Sequence, residues 1–297
     1  MVFNLPIYSP EEELHDPLFI EKQVQVFVKR DDKIHPFISG NKWRKLKYNL
    51  SYAHQLGKTD LVTFGGAWSN HILATAAAAA QFGFNSIGII RGEEVNNPVL
   101  QMAQLFGMDL HFIDRQPYKD KALYFQENFD GSTHYFIDEG GRSTLAVKGC
   151  KEIISELTQT YSHILVAAGT GTTAAGLAVG IESQKLATNL LVIPVLKNAD
   201  FILEDVKELG APIDKINLLT EYHFGGYAKT KKELNDFIKD FVAKSGILIE
   251  PTYTGKLVYG MFDLIHKDYY PKGSRILFIH TGGLTGLLGH LDKMDFD

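Results

Sequence analysis

Strand-length apolar runs alternate with helix-length amphipathic runs along almost the whole chain, and most of them stop at a glycine or a polar turn. Parallel strands cannot be joined by a tight turn. Each pair needs a crossover of a dozen residues or more, usually a helix. Leu61-Val62-Thr63-Phe64 ends in Gly65-Gly66, and a helix over 70–82 stops at Gly83. A strand over 86–90, a helix over 98–106 stopped by Gly107, a strand over 109–113, an amphipathic stretch over 118–129 and a strand over 134–137 follow. A second series runs from a helix over 144–157 through the strand 163–167 and a glycine-rich turn to a helix over 173–181. It continues with strands over 190–196 and 216–219, helices over 201–209, 229–244 and 255–266, the strand 275–280 and a short helix from Leu284. The pattern predicts an α/β fold with parallel sheet and flanking crossover helices. No Pro/Gly/Ser linker, low-complexity segment or fixed-period repeat interrupts it, so a domain boundary has to come from topology.

The 297 residues, 45% of them hydrophobic, supply core for two α/β layers or one large domain. A net charge of -5 with dispersed Lys and Arg argues against nucleic acid or an anionic membrane as the main partner. The single cysteine, Cys150, excludes an intramolecular disulfide framework and fits a reducing, cytoplasmic setting. Residues 1–10 carry neither the basic nor the apolar region of a secretory signal. The most apolar short run, 72–80, falls far below the roughly 18 residues of a membrane span.

Chemistry enters at Ser39-Gly40-Asn41-Lys42-Trp43-Arg44-Lys45-Leu46. Lys42 follows a strand-like segment over 24–29 and the turn signals Asp31-Asp32 and His35-Pro36. It opens a helix whose Trp43, Leu46, Leu50, Ala53 and Leu56 recur at spacings of three and four, with Gly57 as the stop. A helix N-terminus is already positive, so electrostatics places a first-turn lysine poorly. A solvated side chain is the simplest account. The other is an amine whose pKa is lowered by burial and by Arg44 and Lys45 nearby, as a Schiff-base lysine requires. Lys42 alone leaves both open.

Five further turns carry polar groups, four of them beyond apolar strands. Gly169-Thr170-Gly171-Thr172-Thr173 follows a strongly apolar strand and opens a helix, so several N–H groups and three hydroxyls converge where the dipole favours an anion. It lacks the lysine of a P-loop, and its GxGxxxxG spacing differs from the dinucleotide fingerprint. Gly65-Gly66-Ala67-Trp68-Ser69-Asn70-His71 offers Ser69 and Asn70 as helix caps, and its small residues would also admit a ligand carboxylate. Glu250-Pro251-Thr252-Tyr253-Thr254-Gly255-Lys256 and His280-Thr281-Gly282-Gly283 read as strand ends with polar loops, and Gly225-Gly226-Tyr227 is a less specific turn. In an open parallel sheet, ligands bind beyond the carboxyl ends of the strands. The eleven histidines form no metal-ligand spacing, so no metal is assigned.

In this order the pieces resemble the pyridoxal-phosphate enzymes of fold type II, and more narrowly the 1-aminocyclopropane-1-carboxylate deaminase / D-cysteine desulfhydrase family. The resemblance runs from Lys29-Arg30-Asp31-Asp32 to His280-Thr281-Gly282-Gly283, nearly the whole chain. It implies two open twisted parallel-sheet domains with flanking helices: a small one over 45–144 inserted into a larger one of 1–44 and 145–297, with the active site in the cleft. It implies pyridoxal 5′-phosphate joined to Lys42 as a Schiff base, Asn70 beside the 3′-oxygen and the turn Gly169 to Thr173 on the phosphate. Thr254 would sit near the pyridine nitrogen, and Thr281 would complete the cofactor site. Ser69, Asn70 and His71 would meet the substrate carboxylate beside Trp68, while Tyr227 and Tyr253 would line the pocket. Lys42, Ser69, Tyr227 and Tyr253 are the catalytic candidates. A homodimer acting on a small amino acid is expected.

Ring-opening deaminases of this family typically read Ser-Asn-Gln and Tyr-Glu-Gly-Lys at two key turns, where this chain reads Ser69-Asn70-His71 and Tyr253-Thr254-Gly255-Lys256. A glutamate would keep the pyridine nitrogen protonated, and neutral Thr254 favours that less. The expected reaction is therefore α,β-elimination from a small amino acid, D-cysteine by resemblance, giving pyruvate, sulfide and ammonia. Alternatives within the fold are cyclopropane ring opening, β-replacement and racemisation. A different class is a dinucleotide-dependent oxidoreductase, and a further alternative is a ligand-binding relative that kept the fold without catalysis.

Overall fold

The computed structural model describes residues 3–294. The chain opens with β1 (Glu11–Leu14), α1 (Pro17–Glu21) and β2 (Gln25–Lys29), then enters α2 (Asn41–Gln55). Next come β3 (Asp60–Gly65), α3 (Asn70–Phe82), β4 (Asn85–Arg91), α4 (Pro98–Leu105), β5 (Met108–Ile113), α5 (Lys121–Asn128) and β6 (His134–Ile137). The remainder is α6 (Thr144–Ser155), β7 (His163–Ala168), α7 (Thr172–Ser183), β8 (Asn189–Pro194), α8 (Phe201–Glu208), β9 (Ile216–Leu218), α9 (Lys232–Ser245), α10 (Thr254–His266) and β10 (Arg275–Ile279).

Two sheets result. One has the order β5-β4-β3-β6 and is parallel throughout. The other has the order β1-β2-β10-β7-β8-β9 and is parallel except at its edge, where β1 runs antiparallel to β2 with Glu11 opposite Lys29. The second sheet takes its strands from both sides of the stretch that builds the first. Its central strands are buried on both faces, as a covered parallel sheet requires. Leu165, Ala167, Leu191, Ile193, Ile276 and Phe278 point into one apolar layer. Their neighbours Ile164, Val166, Leu190, Val192, Leu277 and Ile279 point into the other.

Three features differ from the sequence expectation. β1 and α1 escape the pattern because β1 is a half-buried edge made largely of glutamates and α1, only five residues long, is too short to show a helical period. Glu12 pairs with Arg30 at 2.6 Å, and such charges keep an edge from pairing with another chain. The residues before α10, expected to end a strand, make no ladder. Their last carboxylate, Glu250, caps α10 instead. The short helix from Leu284 is a pair of 3-10 turns, Leu284–Gly289 and Leu291–Lys293.

Two close approaches bring α2 to its place. A Cβ on Gly149 of α6 would lie 1.9 Å from the Arg44 carbonyl oxygen, so these helices touch backbone to backbone. Gly40, at φ +57°, ends against the turn after β10, where a Cβ would lie 1.9 Å from the Thr281 carbonyl oxygen. Gly282 is pressed in return onto Ser39. The Ser39-Gly40 and Thr281-Gly282 motifs are thus two halves of one contact.

Candidate active site

A cavity of about 660 Å³ opens at the carboxyl ends of β3 and β7, where the N-termini of α2 and α3 meet it, a size suited to a cofactor with a small substrate. Lys42, Trp68, Ser69, Asn70, His71, Gly169, Thr170, Thr173, Tyr227 and Tyr253 all line it. Gly171, Thr172, Thr254 and Thr281 lie behind its wall.

Lys42 stands in the first turn of α2, which has Gly40 as its N-cap and no side-chain cap. Burial, reinforced by the charge of Lys45, pulls its amine down to about 7 against a small opposing pull from Cys150. Arg44, expected to add to that effect, is instead held by Asp31 at 3.0 Å and by Glu156. Among the described residues, no carboxylate lies within 4.0 Å of the Lys42 amine. Lys45 is a second buried amine, lowered in pKa by burial, whose Nζ donates to the Gly140 carbonyl at 3.1 Å.

The turn after β3 is fixed by Ser69, whose Oγ accepts from the His71 N–H at 3.2 Å and the Ile72 N–H at 3.4 Å. Asn70 Oδ1 accepts from the Thr285 hydroxyl at 2.9 Å. Trp68 packs against Gly289. His71 is set by a relay. The Thr63 hydroxyl donates to the Ile137 carbonyl at 2.9 Å, so it can only accept from His71 Nε2, also at 2.9 Å. The proton therefore sits on Nε2, and buried Nδ1 has no partner among the described residues. Burial and the charges of Lys42 and Lys45 hold this ring well below its ordinary pKa, hence neutral.

At the glycine turn, Thr173 Oγ1 accepts from Asn41 Nδ2 at 3.1 Å, tying α7 to α2. Thr172 and Thr170 hydroxyls lie 3.4 Å apart. The Gly171 N–H is directed to Asp205 at 3.3 Å, and a Cβ there would strike the Asp205 side chain at 2.8 Å. A Cβ on Gly169 would lie 3.0 Å from the Tyr253 ring. The Tyr227 and Tyr253 rings meet edge to face at 6.0 Å.

Sequence reasoning missed Glu250 and Lys45 as parts of the wall. Glu250 is fully buried and accepts the N–H groups of Thr252, Tyr253 and Thr254 at 2.7, 2.7 and 2.8 Å. Burial raises its pKa while those bonds oppose the rise. Its position four residues ahead of a threonine that opens a helix was the available signal. Thr254 Oγ1 accepts from the Glu250 N–H at 3.0 Å, and the Thr281 carbonyl accepts from the Asn41 N–H at 3.2 Å. Both threonines brace the wall.

These residues fit pyridoxal 5′-phosphate. An aldehyde needs an amine that is partly unprotonated near neutral pH, and Lys42 is one. A phosphate needs a helix N-terminus with glycine access and a buried cation, which the Gly169 turn of α7 and Lys45 supply.

Residues 13–282 match the family described as Pyridoxal-phosphate dependent enzyme. A Pyrococcus horikoshii protein provisionally named a 1-aminocyclopropane-1-carboxylate deaminase is 32% identical over 286 residues, covering 91% of this chain and 87% of its own. The Arabidopsis thaliana protein named bifunctional D-cysteine desulfhydrase/1-aminocyclopropane-1-carboxylate deaminase, mitochondrial, is 30% identical across 91% of this chain and 75% of its own. Among solved structures, an ACC deaminase homologue matches with a TM-score of 0.84 at 28% identity, covering 99% of this chain and 94% of that one. A fungal L-serine ammonia-lyase from Rhizomucor miehei shares the fold, with a TM-score of 0.74 at 16% identity over 97% of both chains. No helix among the described residues is long and apolar enough to cross a membrane. Lys42, the glycine turn and the match along 13–282 agree: the chain belongs to the pyridoxal-phosphate dependent enzymes of fold type II, within the 1-aminocyclopropane-1-carboxylate deaminase / D-cysteine desulfhydrase family, and its cofactor is pyridoxal 5′-phosphate.

Proposed function

We propose that this enzyme is a lyase that eliminates the β-substituent of a small amino acid, converting D-cysteine and one water to pyruvate, sulfide and ammonia. The observation that carries the reading is Lys42, an amine of pKa about 7 with no carboxylate partner among the described residues, facing a cavity that two tyrosines also line. Bound pyridoxal phosphate supplies an aldehyde for an amine and a ring that accepts the electron pair left when the α-carbon loses a proton.

Lys42 takes that proton. A base of pKa about 7 is half unprotonated at neutral pH, close to the optimum for proton transfer. Neutral His71 offers an acceptor at Nδ1, so it does not hold a carboxylate through its ring. The substrate carboxylate falls to the Ser69 hydroxyl, the Asn70 amide and the N-terminus of α3, with Trp68 beside them. Burial raises the pKa of Tyr227 and of Tyr253, so both keep their protons and can give one to the departing sulfur. Thr170 and Thr173 would hold the phosphate with Gly169, and Gly171, Thr172, Thr254 and Thr281 would support those groups from behind. The D-amino-acid preference rests on the D-cysteine desulfhydrase named in Arabidopsis thaliana.

The purified enzyme should release sulfide and pyruvate from D-cysteine with a kcat/KM on the order of 10²-fold above that for 2-oxobutanoate release from 1-aminocyclopropane-1-carboxylate. A coupled pyruvate assay and sulfide trapping measure the first, and chromatography of the 2-oxo acid measures the second. The reverse ranking would make the protein a ring-opening deaminase.

A further inference from the structure

The chemistry above makes no use of Lys256, yet its buried amine lies under the turn that carries Tyr227. We propose that Lys256 is the positioning residue of that turn: its ammonium, held by backbone carbonyls, fixes Gly226 and so delivers the Tyr227 side chain to the cavity. Lys256 stands in the first turn of α10 and is wholly buried. Its Nζ donates to the Gly226 carbonyl at 2.8 Å and to the Val195 carbonyl at 3.4 Å. Among the described residues, no carboxylate lies within 4.0 Å of it. A buried ammonium at the positive end of a helix is expensive on both counts. Methionine or leucine would fill the same volume without that cost, so the lysine's distinct contribution is the tie itself.

The tied segment is strained. Phe224, Gly225, Gly226 and Ala228 have φ of 51°, 98°, 114° and 53°, and two of these four are not glycine. Backbone of this kind persists only where its surroundings over-determine it. Other bonds close the turn on itself: Gly226 N–H donates to the His223 carbonyl at 3.0 Å, Lys229 N–H to the Gly226 carbonyl at 3.1 Å and Gly225 N–H to His223 Nδ1 at 2.9 Å, while the Phe224 ring meets Tyr259 at 4.9 Å. Lys256 is the bond from its middle to the sheet, because the Val195 N–H donates to the Ala168 carbonyl at 2.9 Å, next to the Gly169 turn. Tyr227 is held by its backbone and by Tyr253, through the ring contact and a side-chain hydrogen bond, so the backbone of the turn decides where the pair meets the cavity.

The consequence for turnover rests on the proposed elimination, in which a tyrosine proton leaves with sulfur; the positioning claim is read separately. Hydrogen exchange in Lys256→Met should rise about ten- to hundredfold at the amides of 224–228 while β7 and β8 keep their protection. In the holoenzyme, kcat for D-cysteine should fall about tenfold or more. It should fall much less for β-chloro-D-alanine, whose chloride leaves without a proton. If Lys256→Met does not fold, Lys256→Ala is compared in ammonium and in sodium chloride. Ammonium should restore both protection over 224–228 and turnover of D-cysteine. Unchanged exchange over 224–228, an equal rise throughout the six-stranded sheet, or identical behaviour of Lys256→Ala in the two salts overturns the proposal. If the exchange result holds while wild-type enzyme fails to turn over D-cysteine, the substrate reading fails and the positioning role stands.

Discussion

Lys42→Ala should lower turnover by about 10⁴-fold or more and abolish the visible absorption of the bound cofactor, with the fold retained. The size follows from the amine's two duties, joining the cofactor and moving a proton at the substrate α-carbon. No neighbour can take both over, since Lys45 is held on the Gly140 carbonyl and Arg44 is locked between Asp31 and Glu156. Removing the amine also has a signature that needs no substrate. In cofactor-free protein the folded-state pKa of Lys42, about 7, lies below the ordinary 10.5. Between those values the unfolded chain holds a proton that the folded chain lacks, so stability rises with pH across that window, and the cost is full below about 7. Lys42→Met should remove this part of the rise and stabilise the cofactor-free protein at neutral pH by about 2 kcal/mol, allowing for water in the open cavity. Urea melts from pH 6 to 10 measure the slope. A variant that keeps a normal cofactor spectrum would end the assignment of Lys42.

Gly40→Ala is expected to cost about 2–4 kcal/mol, from the left-handed backbone at this position and from overpacking against Thr281. The clash is with backbone, so no side-chain rotation relieves it. The added Cβ would sit 1.9 Å from the Thr281 oxygen and 2.3 Å from its carbon. Either α2 or the turn after β10 must move, and moving α2 shifts Lys42 two residues away. Cofactor affinity should fall along with the urea midpoint. Should Gly40→Ala melt like wild type and bind the cofactor normally, the interlock of the two turns is not what places α2.

The alternation that predicts parallel sheet is legible because strands such as β7 and β8 are buried on both faces and carry a polar residue only at their first position. β1 was hidden for the opposite reason: an edge strand of glutamates obeys solvent, not the core. The turns could be read in order because glycine and hydroxyl residues gather where strands end and helices begin, whatever the ligand. What a single sequence could not show is which charges face one another. Arg44 sits two residues from Lys42 yet is paired elsewhere, whereas Lys45, one residue further, is the charge that acts on it. Glu250 and Lys256 flank Thr254, and nothing in their spacing tells that one caps a helix and the other pins a turn across the sheet. Likewise, the tautomer of His71 is fixed by Thr63 and the Ile137 carbonyl, contributed by two different strands.

The most direct test of the account is borohydride reduction of the cofactor-loaded enzyme followed by peptide mass mapping. Reduction fixes pyridoxal phosphate to whichever amine it is joined to. The account predicts one adduct, on the peptide containing Lys42, with the visible absorption lost in step. An adduct on Lys45 or Lys256, or full loss of the absorption with Lys42 unmodified, would contradict it.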